Sequence, residues 1–521
     1  MASSWLFKSL LASSAMSSVS LASIPDVTFR GRASIPKISA SKGPVYDRNG
    51  TLLPALDTVY YFNQLIDHNN PGLGTFQQRY WTTWQFYKSG GPIVLMTPGE
   101  ANAEDYTGYL TTGAINGLIA QQENGATVLL EHRFFGFSNP RDNLASESLE
   151  LLTIQQAIDD LAYFAENVDF LIPGGDQVKP HQAPWVLIGG SYSGALTSWT
   201  MVNKPGVFWA GYSSSGVVEA ITDFYDYFTP IRKYMPAGCA ADVEAVIAYL
   251  DESDAHGNAT ALNDLKSAFG LTGLSHIDDF ASALRTNLFD WQKYQPSKEI
   301  QHGALFSQFC DALENVTGVV AGPSGRGLDH AIIAWGAFWK NTYYKSICGQ
   351  ENADDCLGSH DPTFGYYSDT SVNNADRSWL WIVCNQVGFY QVGPPEGQPA
   401  IVSRILQPTY AERECVNYFP QAFSAPRPPT TQETNAKYGG WNLTVDRLFS
   451  ANGLLDPWRG ATMSADGVNK PTNVDLQPVY ESNGFHCSDL VTEYGSIDPT
   501  IAKVQAAGLS YMKTWLSEWK A

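Results

Sequence analysis

The chain contains no run of apolar residues approaching the ~18 needed to cross a bilayer past its N-terminal stretch. Basic residues are scarce: 32 Lys and Arg stand against 52 Asp and Glu, a formal charge of -20 in 521 residues. A surface that acidic repels phosphate backbones and anionic headgroups, which excludes nucleic acid and membranes as expected partners. It suits solubility in an acidic medium, where carboxylates protonate and self-repulsion falls. The seven cysteines show no CxxC spacing and no histidine cluster accompanies them, so neither a zinc site nor any other metal is expected. Core material is abundant instead. Apolar residues make up 44% and aromatics 13%, including 15 Trp, which rules out a disordered or fibrous protein.

Residues 1–22 read as a secretory signal peptide. Lys8 is their only charge, the stretch from Leu10 is moderately apolar, and Ser20-Leu21-Ala22 offers a small–x–small cleavage point. Residues 23–55, rich in Ser, Pro and Gly, read as an extended arm or a removable propeptide. Sequons at Asn49, Asn258, Asn315 and Asn442 lie in polar contexts suited to glycosylation. In an oxidising compartment the cysteines would form three disulfides and leave one over, with connectivity that spacing does not reveal. The expected location is extracellular, with a vacuolar or lysosomal lumen as the alternative.

From residue 58 the text turns to strands, VYYFNQLID and then FQQRYWTTWQFY, both alternating and bounded by turn residues. Near-continuous apolar runs follow at 92–97, 126–133 and 185–188, separated by helix-period stretches around 110–122 and 149–167. Short buried strands alternating with helices imply a parallel sheet covered on both faces. From 216 to 430 the pattern is amphipathic helix, with Val243, Val246, Ile247 and Leu250 on one face and no buried-strand signal. Strand-like text returns near 445–450 and 478–480, and a helix spans about 499–519. The expected organisation is an α/β core in two parts, 56–215 and 431–521, with a helical, cysteine-bearing insertion at 216–430.

Gly189-Gly-Ser-Tyr-Ser-Gly194 places Ser191 where a buried strand passes into a helix, the setting of a nucleophile elbow. Small neighbours are needed because strand and helix meet closely there; Ser193 stands where glycine is usual. Gly211-Tyr-Ser-Ser-Ser-Gly216 is a second match, around Ser213, without so clear a helix after it. Downstream, Asp456 follows one strand and His486 the next, the chain order serine, acid, histidine that an α/β-hydrolase sheet requires. Asp489 is a rival acid, expected rather to cap the following helix. His132 reads as a satisfied core histidine, and His256 and His302 as surface residues.

With these residues in place the chain resembles the serine peptidase family that contains lysosomal Pro-X carboxypeptidase and dipeptidyl peptidase II, most closely its secreted fungal prolyl peptidases. The matching text is Tyr61-Phe-Asn-Gln-Leu-Ile-Asp-His68, Thr75-Phe-Gln-Gln-Arg-Tyr80, Thr97-Pro-Gly-Glu100, Glu131-His-Arg-Phe-Phe-Gly136, Gly189-Gly-Ser-Tyr192, Leu455-Asp-Pro-Trp458 and Gly484-Phe-His486. The resemblance implies an α/β-hydrolase fold with a helical, disulfide-bearing cap, and cleavage after proline.

The residues support acyl transfer in which Ser191 attacks, His486 moves the proton and Asp456 orients the imidazole, with no cofactor. Oxyanion donors are expected from the backbone N–H of Tyr192 and from Gly99 or Glu100. A flat proline pocket calls for aromatics: Trp458 first, then Trp379, Trp381, Phe389 and Tyr390 of the cap. Glu100 and Arg133 are candidates for gripping a peptide terminus, with a structural ion pair the first reading for Arg133. The substrates are proline-containing peptides, cut as by a prolyl endopeptidase or a Pro-X carboxypeptidase, with acid pH expected. The alternatives are a dipeptidyl-peptidase-type aminopeptidase, an esterase or lipase on the same fold, and a non-catalytic binding module. Oligomeric state does not follow from the sequence.

Overall fold

The computed structural model describes residues 32, 34–40, 42–297, 303–471 and 473–521. The signal-peptide segment, the first part of the arm and His302 lie outside the described residues.

Among the described residues ten strands form: β1 Tyr60–Leu65, β2 Thr75–Thr83, β3 Ile93–Met96, β4 Ala126–Leu130, β5 Trp185–Gly190, β6 Ala210–Ser214, β7 Ile221–Asp223, β8 Gly388–Tyr390, β9 Leu448–Gly453 and β10 Val479–Ser482. Eight of them make one sheet in the order β1-β2-β4-β3-β5-β6-β9-β10. β2 runs antiparallel to β1 and β4, and every other pair is parallel. This is the α/β-hydrolase fold.

The continuous apolar runs have a direct structural cause. Ile93, Leu95, Trp185 and Leu187 point into the core on one face of the sheet, while Val94, Met96, Val186 and Ile188 point into the core on the other. Helices Ile154–Asn167 and Tyr192–Asn203 cover the first face, and Ile115–Glu123 and Pro499–Ser517 the second. Thr153 caps the 154–167 helix by accepting from the Gln156 N–H.

The chain leaves the sheet after β6 and returns at β9, and the insertion between them is mostly helical. It contains one feature its sequence pattern hides: β7 and β8, three residues each, pair in parallel. Strands that short are invisible to periodicity. Its helices carry three disulfides, Cys239–Cys310, Cys348–Cys356 and Cys384–Cys415, and Cys487 is left free and buried. A single apolar cluster runs from Trp185 and Leu187 of the sheet to Trp335, Trp379 and Phe389 of the insertion, so cap and sheet share one core. Ahead of β1, Ile35, Val45, Leu53 and Leu56 are buried against the opposite face.

Candidate active site

The loops after β3, β5, β9 and β10 carry Glu100, Ser191, Asp456 and His486, so parallel strands deliver all four to the same edge of the sheet. Ser191 lies between β5 and the helix Tyr192–Asn203 at φ 59° and ψ -128°, a conformation that costs a non-glycine residue free energy and lifts the side chain out of the turn. The residues two before and three after it must be small. A Cβ on Gly189 would sit 2.0 Å from the Ser193 carbonyl oxygen, and one on Gly194 2.8 Å from that of Ser214. Ser193 fits where glycine is usual because its hydroxyl donates to the Gly190 carbonyl at 2.8 Å and accepts from the Gly190 N–H at 3.0 Å. Ser213 lies inside β6, its hydroxyl spent on the Gly194 carbonyl at 2.8 Å.

His486 Nδ1 lies 2.9 and 3.0 Å from the two carboxylate oxygens of Asp456. Asp456 is fully buried and also accepts from the Trp458 N–H at 2.9 Å. Burial works against the imidazolium, but the Asp456 charge, with a smaller contribution from Cys487, carries the His486 pKa well above 6.5. His486 Nε2 and Ser191 Oγ are both enclosed and have no hydrogen-bond partner. Residues of the insertion fix both loops. Trp291 Nε1 donates to the Leu455 carbonyl at 2.8 Å, and Gln295 Nε2 to the His486 carbonyl at 2.9 Å.

Asp489 does not cap a helix. It is buried and accepts from Tyr212 at 2.9 Å and Ser214 at 2.6 Å, joining the His486 loop to β6, while burial raises its pKa. His132 is a core histidine: Nδ1 meets the Arg133 carbonyl at 2.8 Å, Nε2 meets the Tyr192 hydroxyl at 3.2 Å, and burial lowers its pKa to about 4. His256 is exposed. Arg133 binds Asp160 at 2.7 Å and is fully buried.

Gly99 comes against the Ser191 turn, where a Cβ would lie 3.2 Å from Ser193 Cβ. The Gly99 N–H already faces the Thr97 hydroxyl at 3.3 Å. The following loop is anchored by the FQQRY and EHRFFG segments. Glu131 receives Arg79 Nε at 2.9 Å, the Ser138 hydroxyl at 2.6 Å and the Ala103 N–H at 3.1 Å, and Arg79 Nη2 donates to Asn102 at 2.8 Å. Gly136 is required there, since a Cβ would meet Glu131 Oε1 at 2.0 Å.

Beside His486 and Tyr192 a cavity of about 80 Å³ is lined by Trp458, Trp379, Phe389 and Tyr390, and also by Arg285, Tyr410 and Glu414. The Trp458 ring lies 6.4 Å from His486 and 5.4 Å from Phe389, and the Trp379 ring 5.3 Å from Tyr192. Trp381 is not part of this wall. Two residues on from Trp379 in the helix Ala375–Ile382, it faces away and packs on Phe419 at 5.1 Å, because two helical steps turn a side chain by about 200°. Arg285, Glu414 and Arg32, which also lines the cavity, carried no sequence signal; on helices, charges such as Arg285 and Glu414 read as a solvated face. All four sequon asparagines are exposed.

One group in the insertion, His276, Asp278 and His360, brings three potential metal ligands within 4.8 Å of one another. The two rings stack at 3.5 Å and 8°, so their lone pairs run parallel instead of converging, and Asp278 already binds His360 and Arg413. It is an ion-pair cluster.

The chain matches the family described as serine carboxypeptidase S28 over residues 64–507. The serine protease vicPa of Bipolaris victoriae is 34% identical to it over 92% of this chain and 94% of its own length. A probable extracellular serine carboxypeptidase of Arthroderma benhamiae is 31% identical over 85% of this chain and 64% of its own length. The thymus-specific serine protease of Homo sapiens is 26% identical over 89% of this chain and 87% of its own.

Proposed function

The chain belongs to the serine carboxypeptidase S28 family of serine peptidases, and from that premise we propose that it is a secreted enzyme that cuts peptides on the C-terminal side of proline through Ser191, His486 and Asp456. The observation that carries the reading is the contact of His486 Nδ1 with the buried Asp456 carboxylate, on the same sheet edge as the strained Ser191 turn.

In this mechanism Asp456 holds the proton on Nδ1, which leaves Nε2 as the base. Ser191 Oγ attacks the scissile carbonyl as Nε2 takes its proton, and the same proton then goes to the leaving amine. Water repeats the sequence on the acyl-enzyme. The N–H groups of Tyr192 and Glu100 would receive the oxyanion, a reading supported by the close approach of Gly99 to Ser193, the residue after Tyr192. The aromatic cavity of Trp458, Phe389 and Trp379 takes the proline ring, a flat apolar group that stacks without needing hydrogen bonds. The acidic surface suits solubility in an acidic medium, but the raised His486 pKa argues against an acidic optimum, because kcat/KM falls as pH drops through that pKa and the base protonates. Secretion is supported by the three disulfides, by the exposed sequons and by a relative named as extracellular.

Two assays test this. A fluorophosphonate should label the protein and fail on Ser191→Ala. Matched prolyl and alanyl anilides and a short-chain ester should then rank with the prolyl anilide far ahead of the alanyl one; hydrolysis of the ester alone would refute the peptidase assignment.

A further inference from the structure

The mechanism leaves two charged side chains of the Trp458 cavity unused, Arg285 of the helix Ile277–Phe289 and Glu414 of the helix Pro408–Tyr418. Arg285 donates from Nη1 to the Gln391 carbonyl at 2.5 Å and from Nη2 to the Ser282 hydroxyl at 2.9 Å. Its guanidinium packs on the rings of Phe289 and Tyr410. Its Nε is enclosed without a hydrogen-bond partner, and among the described residues no carboxylate forms an ion pair with it. Burial lowers the Arg285 pKa, yet a guanidinium stays charged at any working pH, so this is a desolvated cation without a counter-ion. The other basic groups nearby are satisfied, Arg413 by Asp278 at 2.9 Å and Arg32 by Asp376. Glu414 does not make good the deficit. Burial lifts its pKa to about 7; Arg285 and Arg413 pull it down, while Asp279, itself held by Ser359 and Tyr410, pushes it further up. The remaining titratable groups that feel Arg285 or Glu414 are Tyr227, Tyr366, Tyr367, Tyr390, Tyr410 and Tyr418, all held protonated by burial. Below neutrality the cavity therefore carries the positive charge of Arg285 uncompensated.

We propose that Arg285 and Glu414 form a subsite for a carboxylate side chain on the residue that precedes proline, so that the enzyme cuts most efficiently after an acidic residue followed by proline. This rests on the peptidase reading above and names a preference within it. Proline carries no polar side-chain group. Its ring belongs against Trp458 and Trp379, which lie beside His486 and Tyr192, and it leaves Arg285 unanswered. Arg285 packs on Phe289 and Tyr410, a different pair of rings lining the same cavity. On the acyl side of the scissile bond, the next group along the substrate is the residue before proline. A carboxylate on that residue accepts from the Arg285 Nε–H and from the protonated Glu414 carboxyl, and both hydrogen bonds are charge-assisted. A lysine would set like charge against Arg285, and a glutamine of the same shape would forgo the charge. The preference has a pH window. A glutamate side chain ionises above about 4.3, and above about 7 Glu414 ionises too and repels it.

The test uses the purified full-length protein with three N-acetylated anilides, Glu-Pro, Gln-Pro and Lys-Pro, from pH 5.5 to 8.5. Wild type, Arg285→Gln and Glu414→Gln are compared, each checked for fluorophosphonate labelling. The readout is the ratio of kcat/KM between Glu-Pro and Gln-Pro, which cancels the loss of rate that protonation of His486 imposes on both. Wild type should favour Glu-Pro by about 10- to 100-fold, the value of a hydrogen bond to a charged group, with the difference in KM and with Lys-Pro last. The ratio should fall as pH passes about 7. Arg285→Gln should bring it close to one, and Glu414→Gln, neutral at every pH, should carry the preference above neutrality. Wild type without a preference for Glu-Pro, an Arg285→Gln variant that keeps it, or a Glu414→Gln variant that loses it through the same pH range would overturn the subsite. So would labelled Arg285→Gln protein that loses Glu-Pro and Gln-Pro equally, since the role of Arg285 would then be structural. Wild-type protein that cuts none of the three anilides would overturn the peptidase reading and this proposal with it. If Arg285→Gln takes no label, the wild-type substrate ranking and the pH profile of Glu414→Gln decide.

Discussion

Asp456→Asn probes the centre of the mechanism with a change of one atom. Asp456 Oδ1 accepts from the Trp458 N–H at 2.9 Å while both oxygens face His486 Nδ1. An asparagine would keep its carbonyl oxygen on the Trp458 N–H and turn its amide N–H toward Nδ1. Nδ1 must then accept, the ring proton moves to Nε2, and no lone pair faces Ser191. The wrong tautomer costs about 10⁴ in kcat in a Ser-His-Asp triad, or about 5.5 kcal/mol of barrier. A second effect is separable from the first. The Asp456 charge is the strongest influence raising the His486 pKa, and burial pulls the other way. Without the charge that pKa drops, so the acid limb of the residual activity should move to lower pH. The assay is the rate of fluorophosphonate labelling and of prolyl anilide hydrolysis from pH 4 to 8. A variant within tenfold of wild type, or one whose acid limb does not move, would refute the assignment of Asp456.

Asp160→Asn should destabilise the protein by about 3–5 kcal/mol, measured as a shift in the urea transition, because it strands the fully buried Arg133. Burial alone would raise the pKa of Asp160, but Arg133 and His68 outweigh it and hold the pKa below 3.8; the stability it contributes is present above the ordinary carboxylate value and is lost as pH falls through the depressed one. Replacing Cys239 and Cys310 by serine opens a closed span of 71 residues, worth about 4 kcal/mol of unfolded-state entropy, and should lower the thermal midpoint of the insertion.

Much of this protein is legible along the chain because the relevant physics is local. A strand buried on both faces has to be apolar at every position, so β3, β4 and β5 announce themselves as continuous runs. A strand-to-helix turn with the backbone of Ser191 brings strand and helix backbones too close for side chains two residues before and three after it, which writes Gly189 and Gly194 into the text. The order of Ser191, Asp456 and His486 follows from the order of the strands that end in them. The long helix period of the insertion and the number of its disulfides are of the same kind.

The remainder depends on what the folded chain brings together. Trp379 and Trp381 are equivalent as text, and only the rotation of their helix puts one beside Tyr192 and the other against Phe419. Asp489 reads as a helix cap, yet the fold closes it onto Tyr212 and Ser214, more than 270 residues away, as the separations of 277 and 275 record. Arg285 and Glu414 look like surface charges until the cap folds them over the Trp458 cavity. Glu100 is marked in the sequence by the Thr97-Pro-Gly-Glu100 text, but its burial is set by every residue the fold packs around it. Local sterics and hydrophobic periodicity act over a few residues and are therefore written in the sequence, whereas desolvation and the identity of a partner are decided by residues hundreds of positions away.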